Sequence, residues 1–313
     1  MVKKYPDYEI YNLDNLTYAG ELSKHRAIEK KNNYHFIKAD INDQKAIICL
    51  FENKKFDFIV HFAAESHVDR SIIEPEIFVQ TNVLGTYMLL QAAYQVGIEK
   101  IIHVSTDEVY GQLEYNPQTF FTEESPLQPS SPYSASKASS DLLVLAYYKT
   151  FGLPINITRC SNNYGPYQFP EKLIPLTILN VLNNRKVQLY GNGQNVRDWL
   201  HVFDHCTAID LILHEGVNGE VYNIGGHNEH SNLKVVEKII SLLGKSEKLI
   251  EYVEDRLGHD KRYAINPEKV TLLGWEPKYS FELGIKETIQ WYVQNMHWWQ
   301  PTLNKNSVKF GVY

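Results

Sequence analysis

Two short segments carry residue types that can move protons and a hydride. Lys100-Ile-Ile-His-Val-Ser-Thr-Asp-Glu-Val-Tyr-Gly111 reads as an apolar strand that ends in hydroxyls and two adjacent carboxylates. Further on, Ser131-Pro-Tyr-Ser-Ala-Ser-Lys137 sets a phenol, Tyr133, and an ammonium, Lys137, at i and i+4, on one face of a helix. A tyrosine whose pKa is lowered by a neighbouring lysine can take the proton of a sugar or alcohol hydroxyl while a hydride leaves the carbon. Asp107 and Glu108 add a second acid and a second base, for which simple alcohol oxidation has no use. The plain alternatives are a surface tyrosine at a helix start and a solvated acidic turn. The lysine partner outweighs the first, and the apolar strand that leads into the pair outweighs the second.

Positioning such groups takes a scaffold, and the first half of the chain alternates strand and helix signals, the pattern of a parallel sheet covered on both faces. The expected strands are Tyr8 to Leu13, Tyr34 to Ala39, Phe56 to Phe62, Lys100 to Ser105 and Pro154 to Arg159. Helical runs over Phe78 to Val96 and Tyr133 to Phe151 end at Gly97 and Gly152, each a plausible left-handed cap. After about Tyr164 the texture shifts to longer loops and shorter strands, such as Val187 to Tyr190 and Glu220 to Ile224. The pattern predicts a doubly wound, Rossmann-like α/β fold, with a cofactor-binding domain over 1–164 and a smaller, interleaved C-terminal substrate-binding lobe over 165–313.

Such sheets bind ligands at the carboxyl ends of their strands. Asp14 stands where an acidic side chain can hydrogen-bond the adenosine ribose of NAD, Asp40 and Ile41 follow the next strand, and Phe62-Ala63-Ala64-Glu65 follows the third. One component is missing. No glycine-rich G-x-G-x-x-G loop follows the first strand, the only early glycine is Gly20, and Gly191-Asn-Gly193 reads as a tight turn. The opening residues look like the tail of the helix that should follow that loop, so the chain is expected to begin inside a longer protein and to bind NAD weakly as it stands.

At 313 residues the chain can bury a large core, and a net charge of -6 without a basic stripe argues against nucleic acid as a partner. The three cysteines, Cys49, Cys160 and Cys206, are far apart in apolar runs and read as buried reduced thiols, which fits a cytoplasmic protein. No apolar run approaches a membrane span, no signal peptide opens the chain, and no His or carboxylate set has metal-ligand spacing. The cluster Trp291, Trp298 and Trp299 reads as core and C-terminal packing.

Ser105-Thr-Asp-Glu-Val-Tyr-Gly111 with Tyr133-x-x-x-Lys137 resembles the extended short-chain dehydrogenase/reductase superfamily and, within it, the dTDP-glucose 4,6-dehydratases. Further matches are Asp14-Asn-Leu-Thr-Tyr-Ala-Gly20, Ala63-Ala-Glu-Ser-His-Val-Asp-Arg-Ser71, Ser161-Asn-Asn-Tyr-Gly-Pro-Tyr-Gln-Phe-Pro-Glu-Lys-Leu-Ile-Pro175, Val196-Arg-Asp-Trp-Leu200 and Asp255-Arg-Leu-Gly-His-Asp-Lys-Arg-Tyr263. The resemblance runs to about Trp299. It implies oxidation of a nucleotide sugar at C4, loss of water across C5 and C6, and return of the hydride to C6, with NAD as cofactor and a deoxysugar pathway such as rhamnose synthesis downstream. Tyr133 would be the C4 base supported by Lys137, Thr106 would orient the C4 oxygen, Glu108 would take the C5 proton and Asp107 would protonate the departing C6 hydroxyl.

The resemblance also implies NAD contacts from Asp14, Asn15, Leu16, Thr17, Asp40, Ile41, Phe62, Ala63, Ala64, Glu65, Thr81, Tyr133, Lys137 and Asn163. Substrate contacts are implied for Ser66, Thr106, Asn162, Lys172, Leu173, Gln188, Leu189, Tyr190, Arg197, Asn232, Asp255, Arg256, Leu257, Gly258 and His259, with Arg197, Lys172 and Arg256 serving the pyrophosphate. Leu257 stands where the family usually has proline, which should loosen that loop slightly. The family pairs through helices like Phe78 to Val96 and Tyr133 to Phe151, whose Tyr87, Met88, Leu142, Leu143, Tyr147 and Tyr148 imply a homodimer. Another nucleotide-sugar 4,6-dehydratase, a 4-epimerase, or an inactive nucleotide-sugar-binding remnant are the other readings; the epimerase has no use for the carboxylate pair.

Overall fold

The computed structural model describes the backbone of residues 1–305 and the side chains of residues 1–300; the last eight residues of the 165–313 lobe lie outside the described residues. The chain divides into two units built from interleaved stretches. The first takes Met1–Ser105, Ser131–Thr158 and Asp210–Val221, and the second takes Thr106–Ser130, Arg159–Ile209 and the chain from Tyr222 onward.

In the first unit β1 (Ile10–Asp14) pairs in parallel with β2 (Tyr34–Lys38), and β3 (Phe58–His61) pairs in parallel with β4 (Lys100–Thr106). The latter two belong to a four-stranded sheet in the order β3-β4-β5-β9, with β5 at Ile155–Cys160 and β9 at Val221–Ile224. The parallel sheet expected from the alternating pattern is present. β4 is buried along nearly its whole length, with the fully buried His103 inside its apolar run, as packing against helices requires. Those helices include α1 (Gln44–Lys54), α2 (Val68–Ile73), α3 (Pro75–Phe78), α4 (Thr86–Val96) and α5 (Pro132–Phe151), and the core between them holds Ile47, Phe51, Leu90, Ile101, Val144, Ile155 and Ile157. β1 and β3 each pair on one side only, and Tyr11 to Asp14 and Phe58 to His61 line one cleft.

α5 is fixed at both ends by its sequence. The Ser131 hydroxyl accepts from the Ser134 N–H at 3.1 Å, the Ser134 hydroxyl accepts from the Ser131 N–H at 3.0 Å, Pro132 occupies the first turn, and Gly152 closes the helix at φ 69°. The helix expected over Phe78 to Val96 is broken into α3, a π-helical segment Val79–Gly85, and α4, which Gly97 caps at φ 71°. The wider π turn brings Asn82 inward and sets Gly85 against Ile41, where a Cβ would lie 2.6 Å from Ile41 Cδ1. Strand edges also move. Tyr8 leaves the first strand to stack on Tyr5 at 4.7 Å, and Phe56 packs edge-on against Phe51 at 5.3 Å rather than extending β3.

The second unit has its own small sheets: β8 (Val196–His201) lies between β6 (Asn162–Tyr164), in parallel, and β10 (Glu229–Ser231), antiparallel, while β7 (Val187–Tyr190) pairs with β11 (Ile250–Val253). Gly191 and Gly193, both at positive φ, make the turn from β7 towards β8. α6 (Leu173–Leu182), α8 (Asn232–Leu242) and α10 (Phe281–Gln294) enclose a core with Tyr164, Trp199, Trp298 and Trp299, and Trp291 packs on it as expected. α7 (Val202–Glu215), α9 (Glu268–Leu272) and α11 (Met296–Lys305) complete the helices. Among the described residues no helix is long and apolar enough to cross a membrane, and no cluster of His, Cys, Asp or Glu could hold a metal ion. The cysteines are free but not buried: Cys49 and Cys206 sit on the outer faces of α1 and α7, and Cys160 is half-buried.

Candidate active site

The first unit gathers most of the expected cofactor residues. Asp14, Asn15, Leu16, Thr17, Asp40, Ile41, Phe62, Ala63, Ala64, Glu65 and Thr81 all line one cleft of about 700 Å³. The strand-end loops brace each other there: Asp14 Oδ1 accepts from the Leu16 N–H at 2.6 Å, and Asn15 donates to Asp40 Oδ2 at 2.7 Å. Asp40 Oδ1 in turn accepts from the Asn42 N–H at 2.8 Å. Asn42 Oδ1 lies buried in that wall without a hydrogen-bond partner, a position from which it can accept from an exocyclic amine such as adenine's. The methyl side chains of Ala63 and Ala64 leave the opposite wall open to close approach, and the only lining glycine is Gly20. The donor set therefore fits the adenosine and ribose of a dinucleotide.

Asn82, which the motif reading passed over, ties this cleft to α5. It is 1% exposed, accepts from the Glu65 N–H at 2.8 Å, donates to the Glu65 carbonyl at 2.9 Å, and donates to Ser136 Oγ at 2.8 Å. Ser136 Oγ then donates to the Tyr133 carbonyl at 2.7 Å. Tyr133 is buried, edge-on to Phe78 of α3 at 6.3 Å, and Lys137 Nζ donates to the Val104 carbonyl of β4 at 2.8 Å, so neither side chain stands on the surface. Tyr133 and Lys137 are not among the cleft-lining residues, and Asn163 belongs to the second unit, where its side chain bonds His205 at 3.0 Å.

The second unit carries the acid pair. Thr106 caps the 3-10 turn Asp107–Tyr110, accepting from the Glu108 N–H at 3.3 Å and donating to Asp107 Oδ1 at 3.4 Å. Asp107 is 1% exposed, and its Oδ2 has no partner. Burial, followed by the charges of Glu108 and Asp198, raises its pKa well above the carboxylate range. Burial raises Glu108 as well, but the cations Arg256, Lys172 and Arg197 oppose it. Both carboxyls are pushed towards keeping their protons, Asp107 the further above its usual value, and at Glu108 the three cations partly offset the push.

The same unit holds buried acceptors without partners, Asn162 Oδ1 and Asn232 Oδ1, which suit a ligand's hydroxyl or imide donors. Arg197 is buried, Lys172 caps α6, and Arg256 is half-buried. On β7 Gln188 is exposed, Tyr190 half-buried and Leu189 buried in the core, so Leu189 can offer only its backbone. His259 bonds Asp255 at 2.6 Å and meets the Tyr190 ring edge-on at 6.0 Å; burial and then Arg256 lower its pKa to about 4, leaving it neutral. Gly258 holds φ 62°, and Leu257 is 76% exposed. Ser66 sits half-buried just before α2, and Leu173 half-buried at the start of α6.

A family model described as GDP-mannose 4,6 dehydratase matches residues 1–288. The dTDP-glucose 4,6-dehydratase of Escherichia coli is 48% identical, over 94% of this chain and 89% of its own length. The chain belongs to the dTDP-glucose 4,6-dehydratase family. Among solved structures of the family, the Bacillus anthracis enzyme in complex with NAD is 53% identical with a TM-score of 0.89, covering 96% of this chain and 93% of its own. The Streptomyces venezuelae enzyme, also with NAD bound, is 46% identical with a TM-score of 0.93 over the same shares. The fold is the family's Rossmann-like α/β fold.

The raised pKa of Asp107 has a consequence for stability. Above about pH 4 the unfolded chain gives up this proton while the folded protein keeps it, so this residue's contribution falls as pH rises. Asp107→Asn removes that dependence. In denaturant titrations from pH 4 to pH 8 the variant should gain on the parent by up to about 1.4 kcal/mol per pH unit until the folded carboxyl itself ionises; a constant difference across that range would contradict the assignment.

Proposed function

We propose that the chain converts dTDP-glucose to dTDP-4-keto-6-deoxyglucose by oxidation at C4, elimination of water across C5 and C6, and reduction at C6. The observation that carries this reading is the adjacent carboxyl pair, Asp107 buried with an unpartnered oxygen and Glu108 under the partly offsetting charges of Arg256, Lys172 and Arg197. A 4-epimerase, which only removes and replaces hydride at C4, has no task for such a pair. The family relation selects the nucleotide sugar.

When bound, NAD takes up the hydride from C4 and gives it back to C6. Asp14 and its loop, Asp40, Asn42 and the Ala63–Glu65 stretch would hold its adenosine side, while Lys137 would hold the nicotinamide ribose. Tyr133 accepts the C4 hydroxyl proton, with Lys137 supporting the phenolate and Thr106 orienting the C4 oxygen. Once C4 is a ketone the C5 proton is acidic. Glu108 removes it and Asp107 gives its proton to the C6 hydroxyl, which leaves as water; as hydride returns to C6, Glu108 gives a proton back to C5. Arg197, Lys172 and Arg256 neutralise the pyrophosphate, and Asn162 and Asn232 accept from sugar or base.

We place the protein in the cytoplasm, where its three free cysteines stay reduced, and assign its product to the 4-keto-6-deoxy precursors from which deoxysugars such as rhamnose are built. We also propose a symmetric homodimer. Tyr87, Tyr94, Leu142 and Phe151 are exposed on α4 and α5, whereas Tyr147 is buried against its own chain and donates to Gln91 at 2.9 Å. A dimeric mass in solution at micromolar concentration is expected; a monomer at that concentration would contradict the assembly.

The activity is tested by incubating the protein with dTDP-glucose and NAD and following the 4-keto product by its absorbance in alkali. Glu108→Gln should leave the protein folded and slow dehydration by about a hundredfold or more, with solvent deuterium no longer entering at C5. Turnover equal to the parent's would remove Glu108 from the role of base.

A further inference from the structure

Arg197 is a buried cation whose orientation is set by its own neighbours. One guanidinium nitrogen donates to the Val196 carbonyl at 2.7 Å, another donates to the Asp260 carbonyl at 2.9 Å, and the Cζ stands 4.2 Å from the centroid of the Tyr263 ring. Arg197 is therefore spanned by two carbonyls and an aromatic face. Tyr263 is 2% exposed and is fixed in turn: its hydroxyl donates to Asp260 Oδ2 at 2.5 Å, the same oxygen that accepts from Ser130 Oγ at 2.5 Å, and its backbone N–H donates to the Val196 carbonyl at 3.2 Å. Asn195 adds a bond to the Asp260 carbonyl at 3.1 Å.

The groups that bear on Glu108 are Arg256, Lys172, Arg197, Asp260, the neighbouring Asp107 and Tyr263 itself, whose own ionisation Glu108 opposes. Lys172 stands at a helix start and Arg256 on a half-buried loop. Arg197 has its planar cation pinned on three sides.

We infer that Tyr263 is a positioning residue for the elimination step: its ring face, anchored through Asp260, holds the Arg197 guanidinium where its charge bears on the Asp107–Glu108 pair. The inference rests on Glu108 being the C5 base. It gives the buried Tyr263 ring, at the end of the Asp255–Tyr263 segment, a task in holding Arg197. With the platform gone, Arg197 can swing, and the base loses a cation that favours its charged form.

The test is the pH dependence of dehydration in Tyr263→Leu and Tyr263→Phe, read with thermal unfolding and NAD content as folding controls. Tyr263→Leu should move the acidic limb upward by about half to one pH unit and raise the KM for dTDP-glucose, because the same cation serves the pyrophosphate. Tyr263→Phe keeps the face and should restore the limb to within about 0.3 pH units of the parent. An unshifted limb in a folded Tyr263→Leu protein overturns the inference. If Tyr263→Leu does not fold, Arg197→Lys, which keeps the charge without the planar fit to ring and carbonyls, should show the upward shift, and a parental limb there overturns it equally. Failure of the base assignment is separable: it appears as parental turnover in Glu108→Gln, whatever the Tyr263 variants do.

Discussion

A carboxyl group at the end of a fully covered strand, with one oxygen bonded weakly to a threonine and the other to nothing, is tolerable only while it is neutral. That constraint on Asp107 shapes what surrounds it. Ionising it would set an unsolvated charge beside Glu108 and Asp198, so the proton stays. Glu108 sits in the same turn but faces Arg256, Lys172 and Arg197, and the cations partly offset what burial costs it. Adjacent residues of the same chemistry are thereby set in different surroundings, and the proposed split into a proton donor and a proton acceptor rests on that contrast.

The first unit solves a different problem, that of holding flexible groups still. Lys137 and Tyr133 lie on a helix whose start is fixed by a serine capping box, and Asn82 links that helix to the loop after β3 through hydrogen bonds to both backbone groups of Glu65 and to Ser136. Every one of these bonds is buried, where a lost partner costs about 1–3 kcal/mol. The expense of the π-helical segment is intelligible in these terms, since a regular α-helical turn would carry Asn82 off that line.

Much of this was legible in the residues. The apolar run ending in Thr106-Asp107-Glu108, the Ser131 cap with Pro132 behind it, and the glycines at 97 and 152 announce their elements through strong local physics, and β4, α5 and both glycine caps lie where the pattern puts them. Family resemblance added the cleft residues that no spacing rule would single out. What stayed hidden depends on partners distant in sequence. Asn82 reads as an ordinary helical residue until Glu65 and Ser136 stand beside it. Asp260 and Tyr263 carry no motif of their own beyond their place in a matched segment, and their meaning comes from Arg197 some sixty residues earlier in the chain. The cysteines misled because an apolar sequence neighbourhood does not say which face of a helix a side chain takes, and Cys49 and Cys206 take the outer one.

The central claim is that Asp107 keeps its proton in the folded protein. Infrared difference spectroscopy of the folded protein against Asp107→Asn, in water and in deuterium oxide at pH 7, reads this directly. A carboxylic-acid carbonyl band that shifts on deuteration and vanishes in the variant is the predicted result. Absence of that band, with only carboxylate signals lost on substitution, would contradict the account.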